Sequence, residues 1–193
     1  MKNTIKITTL VVALAAFTLG AKAQTNPTST KTSNGIRYSI GVDAGVPTGK
    51  LADNAKWNLG GSVQADIPVA NQVFVTLNAG YNNIFAKDIT VGTTVIKGTD
   101  VQILPVKAGI KYFPVDNFYI QGQAGAAFLL NKKDIGANNA VVFAYAPQIG
   151  YQFPVCGTNF IDAGVRYEGT TKLNSAISDS KLSFVALRVA YGF

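Results

Sequence analysis

The residues able to do chemistry are few, and their types exclude more than they offer. The 193-residue chain has no His and a single Cys, Cys156. That removes Ser-His-Asp and Cys-His catalysis, His-ligated metals, thiolate zinc sites and any disulfide framework. What remains is a set of nine charged residues, Arg37, Asp43, Asp66, Lys107, Lys111, Asp162, Arg166, Glu168 and Arg188, each on the opposite parity from the apolar residues around it. Carboxylates alone can serve as acids and bases. Five cations interleaved with four anions, however, read first as ion pairs, because an unpaired charge on an enclosed face is costly. Arg166 and Glu168 on one strand, with Arg188 on its expected neighbour, form the expected centre of that network.

The elements that must carry these charges are strands. From Gly35 onward, eight segments alternate with period two, as in Tyr38-x-Ile40-x-Val42-x-Ala44-x-Val46 and Ile161-x-Ala163-x-Val165-x-Tyr167, and that period belongs to β-structure. Three short connections repeat one pattern, Ile67-Pro68-Val69-Ala70-Asn71, Phe113-Pro114-Val115-Asp116-Asn117 and Phe153-Pro154-Val155-Cys156-Gly157. Pro ends the strand there and Asn or Gly turns the chain. The other four connections are longer and carry Gly, Asn, Lys and Asp. Short turns at one end and long loops at the other describe an all-β fold, an eight-stranded antiparallel up-and-down transmembrane β-barrel.

Alternation does not say which face is enclosed. Glycine does. Gly41, Gly60, Gly80, Gly109, Gly125, Gly150, Gly164 and Gly192 all lie on the polar parity, one for each segment. Small residues there make room inside a narrow barrel, whereas on an outer surface they would only weaken strands. The polar face is therefore expected to be the lumen. The apolar face carries two sets of rings, Tyr112, Phe118, Tyr151, Phe153 and Phe193 toward the short turns and Tyr81, Phe128, Phe143 and Tyr167 toward the long loops. Rings at both ends of an apolar band match the girdles of a membrane-spanning wall. Pro105 and Pro147 fit badly, since each removes a ladder donor inside a strand, and a bulge or a loss of pairing is expected at both.

The N-terminus has the form of a cleaved Sec signal peptide over residues 1–23. Lys2 and Lys6 precede an apolar run from Thr8 to Leu19, and Ala21-Lys22-Ala23 supplies a cleavage site. Residues 24–34 read as a flexible polar leader and residues 35–193 as the barrel domain. Without the signal the net charge falls from +7 to +4, too mild for a nucleic-acid partner. With only 14% charged residues and no second long apolar run, a helical membrane bundle is excluded.

The signal peptide, the eight alternating strands, the long loops opposite short turns and the terminal Phe193 together resemble the outer membrane protein β-barrel domain family, the small barrels similar to OmpA and OmpX. The resemblance covers residues 35–193 and implies residence in the cell outer membrane. It also implies that Val185, Leu187, Val189, Tyr191 and Phe193 form the signal read by the barrel assembly machinery. Small outer-membrane barrels that are enzymes generally use a His-containing site, so no catalysis and no cofactor are expected. The lumen of eight strands should be filled by side chains, leaving a structural or surface-interaction role through the long loops. Those loops hold eight Lys against five Asp. Outer-membrane lipid and phosphorylated glycolipid are the expected partners, met most directly by Lys132 and Lys133. Ile89 to Ile96 alternates again and is expected to project as a hairpin. Two rival readings stay open, a narrow or gated pore for small solutes and a secreted soluble lipocalin-like ligand-binding barrel.

Overall fold

The computed structural model describes residues 35–91, 93–155, 157–173 and 180–193. The proposed signal peptide, the leader, Cys156 and Asp179 lie outside them. The elements are β1 (Arg37–Pro47), a single helical turn α1 (Leu51–Asn54), β2 (Ala55–Ala70), β3 (Val73–Ala86), β4 (Ile89–Val91), β5 (Thr94–Ile96), β6 (Val101–Val115), β7 (Phe118–Leu129), β8 (Val141–Pro154), β9 (Phe160–Thr170) and β10 (Ser183–Gly192). Eight of these strands close into an antiparallel barrel in the order β1-β10-β9-β8-β7-β6-β3-β2, and β4 pairs only with β5. Closure leaves no free strand edge in the wall, as a sheet in lipid requires. The seam between the first and last strands is tight at the chain terminus. There the Tyr38 N–H donates to the Phe193 carbonyl at 3.1 Å and the Phe193 N–H to the Tyr38 carbonyl at 2.9 Å.

The short turns follow their sequence pattern with one exception. Asn117 and Gly157 take positive φ, but in the first turn the left-handed residue is Gln72 (φ 64°), not Asn71. The turn sits one residue later than the motif indicates.

The two strand prolines act by loss of pairing, without a bulge. Between β3 and β6 the register is unchanged from Ala79 opposite Val106 to Asn82 opposite Ile103, yet the two rungs between are missing. Between β8 and β9 the rungs of Ala146 with Glu168 and Pro147 with Tyr167 are likewise skipped, and the register resumes at Gln148 opposite Arg166. On its other side each proline stays paired, Pro105 with Ala127 and Pro147 with Gly122. Each proline therefore leaves one carbonyl across the seam, Gly80 or Tyr167, without its strand donor.

Glycine on the inner parity does make space. A Cβ at Gly192 would lie 2.1 Å from the Phe160 ring, and one at Gly150 would lie 2.5 Å from the Tyr119 hydroxyl. Both large side chains occupy the lumen because the facing strands carry none at those rungs.

Candidate functional site

The inner face is layered. At the short-turn end Phe74, Phe113 and Tyr119 form a buried aromatic cluster. The Arg37 guanidinium lies over the Phe74 ring at 4.3 Å, with Phe160 at 5.2 Å and Phe113 at 5.5 Å. This arginine is fenced by rings on three sides, and cation–π attraction offsets part of its desolvation. It reaches Asp66 at 3.7 Å and donates to Gln152 at 3.2 Å.

Above that floor stand the remaining charges in two groups. In the lower one Lys111 bridges two carboxylates, Asp66 at 2.6 Å and Asp162 at 3.8 Å, and Arg188 approaches Asp162 at 3.4 Å. Tyr119 donates its hydroxyl proton to Asp162 at 2.8 Å and accepts from Gln148, while Gln152 donates to the other Asp162 oxygen at 3.0 Å. In the upper group Lys107 crosses the lumen from β6 to Glu168 on β9, and Arg166 pairs with Asp43 at 3.3 Å. Gln64 links to Asp66, Gln121, Gln123 and Asn78, so amides knit the carboxylates to the facing wall.

All nine charges thus have a partner of opposite sign. Arg166, Glu168 and Arg188, the expected centre of the network, do not pair with one another. They go to Asp43, Lys107 and Asp162 instead. Arg166 and Glu168 are two residues apart on one face of β9, so each reaches most easily across the bore or past a neighbouring strand. Sequence proximity along a strand does not decide pairing inside a barrel.

The uniformly polar lumen expected from sequence is corrected at its long-loop end. There the inner parity becomes apolar, and Ile84, Ile103, Leu129, Val142 and Phe184 pack into one buried cluster with Leu173 and Leu182 from the loop between β9 and β10. Leu51 of α1, Val101 and Ile135 lie against it. On three strands the outer parity becomes polar near the same level, with Asn83, Gln102 and Ser183 taking the positions that Tyr81, Leu104 and Val185 hold one rung below, while Trp57, Phe85 and Val141 keep apolar groups outside on β2, β3 and β8. Inside-apolar and outside-polar is the pattern of a wall standing in water. The signal was present in the sequence as a reversal of parity at the strand ends.

The loops add three features. The β4–β5 hairpin projects with Val95 and Ile96 exposed. At its base Lys56 pairs with Asp88 at 3.2 Å, and the Gly98 N–H donates to the same carboxylate, which together hold the Asp88 carboxyl below its ordinary value. Lys132 and Lys133 sit in the β7–β8 loop, whose turn is closed by Ala137 N–H donating to the Lys132 carbonyl at 3.0 Å. Among the described residues no cluster of three or more Cys, Asp or Glu could hold a metal, and no helix is long and apolar enough to cross a membrane.

No family model matches the chain, and neither does any curated protein. Solved structures do. The outer membrane enzyme PagL is similar at 14% identity with a TM-score of 0.54, over 80% of this chain and 98% of that one. Neisserial surface protein A is similar at 14% identity and 0.53, over 82% and 98%. The Yersinia pestis outer membrane protein Ail, in a phospholipid bilayer nanodisc, is similar at 18% identity and 0.52, over 81% and 99%. With a closed ring of eight antiparallel strands and neighbours of this kind, the chain has the fold of the small eight-stranded outer-membrane β-barrels.

Proposed function

We propose that the chain is an integral outer-membrane protein whose barrel is filled by its own side chains, and that it acts structurally or as a surface-interaction module through its long loops. One observation carries this reading. Around the whole circumference the outward residues are apolar and open, whereas the inward residues at the same height are buried ions and amides. In water that arrangement would expose a greasy belt far beyond what a soluble monomer tolerates, while in lipid each side of the wall meets its preferred medium.

The lumen has no through-path in this reading. Ion pairs close the lower bore and apolar packing closes the upper one, which argues against a pore. The outward belt argues against a soluble ligand-binding barrel. Fold alone leaves catalysis undecided, since PagL is an outer membrane enzyme. A non-enzymatic role is supported by the absence of His from the sequence and by the engagement of every inner carboxylate in an ion pair. We extend the proposal to export through residues 1–23, to recognition of the Val185–Phe193 strand by the barrel assembly machinery, and to attraction of Lys132 and Lys133 to phosphorylated glycolipid.

Spin labels test it directly. Val63 is 52% exposed and Gln64 is 3% exposed on adjacent rungs of β2. In vesicles a label at Val63 should be accessible to oxygen dissolved in lipid and a label at Gln64 shielded. The reverse result refutes the orientation. Fractionation into the outer membrane, heat-modifiable gel migration and the absence of conductance steps in planar bilayers complete the test.

A further inference from the structure

Pro147 faces outward on β8 in the loop-side half of the wall, and the missing rung beside it leaves the Tyr167 carbonyl of β9 without a strand donor. The same spot is hollow. An outward groove of about 480 Å³ runs past Ile120, Gly122, Pro147, Ile149, Val165 and Tyr167. A Cβ built on Gly122 meets nothing within 4 Å, so the hollow is real space beside the opened seam. A second outer groove lies at Gly61 between Val42 and Val63, but there the ladder is complete on both sides, Gly61 pairing with Val42 and with Tyr81. At Pro147 a groove fit for a hydrocarbon coincides with an unserved acceptor.

An acceptor without a donor in a lipid-facing wall is unfavourable. The polar side chains at the groove are Gln121, Gln148, Tyr112 and Tyr167, and the Tyr167 hydroxyl is engaged with that of Tyr145. Gln148 donates to Tyr119 and accepts from Arg166, and Gln121 exchanges hydrogen bonds with Gln64. With both glutamines committed inside the lumen, a donor lying in the groove can serve this carbonyl from outside the wall. Its depth is defined by the loop-side girdle, where the rings of Tyr145 and Tyr167 lie 6.1 Å apart. Just inside a girdle, an acyl chain is only a few carbons below its head group.

We propose that this groove seats an acyl chain of an outer-leaflet lipid that carries a hydroxyl a few carbons below the head, and that the hydroxyl donates to the Tyr167 carbonyl. The inference rests on the membrane-spanning reading above. It assigns Pro147 a positioning role, removing a donor from the wall so that a lipid can supply it, and Gly122 the role of leaving the chain room.

The test compares one glycolipid in two forms, with hydroxylated and with plain acyl chains of equal length, each doped into phosphatidylcholine vesicles holding the folded full chain. After extraction into detergent, native mass spectrometry counts the lipid retained per barrel. Wild type should prefer the hydroxylated form about fivefold to tenfold, the worth of one hydrogen bond. Pro147→Ala, which restores the N–H, should bring that ratio to about one. Gly122→Leu should lower retention of both forms with the ladder intact. Equal retention by wild type, or an unchanged preference in Pro147→Ala, overturns the lipid seat. A chain that fails to fold into vesicles of either composition overturns the membrane reading and the seat together, whereas a folded barrel without preference overturns the seat alone.

Discussion

The lower and upper halves of the lumen are built from the same strands and the same inward parity, yet they are held together by opposite means. In the lower half five cations and four carboxylates form ion pairs across the bore, with amides filling the gaps. In the upper half Ile84, Ile103, Leu129, Val142 and Phe184 pack as the interior of a soluble protein does. If the wall spans a membrane as proposed, the difference teaches where the bilayer ends. Where lipid is outside, burying apolar groups inside gains nothing over leaving them in the wall, and polar groups must be enclosed. Where water is outside, the hydrophobic effect returns and the inner face turns apolar. The reversal of parity between Tyr81 and Asn83, and between Leu104 and Gln102, marks that level on the wall.

The comparison is broken most sharply by removing one partner of a buried pair. Lys107→Met leaves Glu168 charged and enclosed, and should destabilise the barrel by about 4 kcal/mol, while Lys107→Met with Glu168→Leu should recover most of that loss. Urea titration of the vesicle-folded protein, read by the fluorescence of the single Trp57, measures both. If the double variant is no better than the single, the pair is not the reason these residues are enclosed. In the upper half Phe184→Ala should cost about 3 kcal/mol through the cavity it leaves. In the membrane-spanning reading that cost, unlike the loss at Lys107, should be the same in lipids of different chain length.

Smaller effects sharpen the boundary between the halves. Pro105→Val restores a donor to the Gly80 carbonyl, and should stabilise the barrel by about 1 kcal/mol with faster loss of exchangeable amides replaced by protection at the β3–β6 seam. Hydrogen exchange at Gly80 to Asn82 reads it. Least of all, Lys132→Ser with Lys133→Ser should change stability by less than about 0.5 kcal/mol. Its effect should appear instead as weaker retention on vesicles bearing phosphorylated glycolipid, a difference that fades as salt is raised. Equal retention at low salt would leave these lysines with no part in lipid contact.

Much of this was legible without coordinates, and for definite reasons. Period-two alternation identifies strands because successive side chains must point to opposite faces, and eight such segments with alternating connection lengths leave a meander as the simple outcome. The inward parity of Arg37, Asp43 and Lys107 followed from their neighbours alone. The partners did not. Arg166 and Asp43 are brought together by the tilt and closure of the barrel, which no spacing along the chain encodes. The apolar cap was missed because the polar parity was carried unbroken to the strand ends, although Ile84, Ile103 and Val142 already contradicted it. The placement of Gln72, not Asn71, at the left-handed turn position was beyond a motif that allows either.

By itself the sequence determined which residues share a face, because alternation is a property of each strand taken alone, and its glycines marked the face that turns inward. Only the tertiary structure decided which charge meets which, where the lumen changes from ionic to apolar, and how the two prolines are absorbed. Those depend on register across strands distant in the chain, and register is fixed by closing the ring, not by any one segment within it.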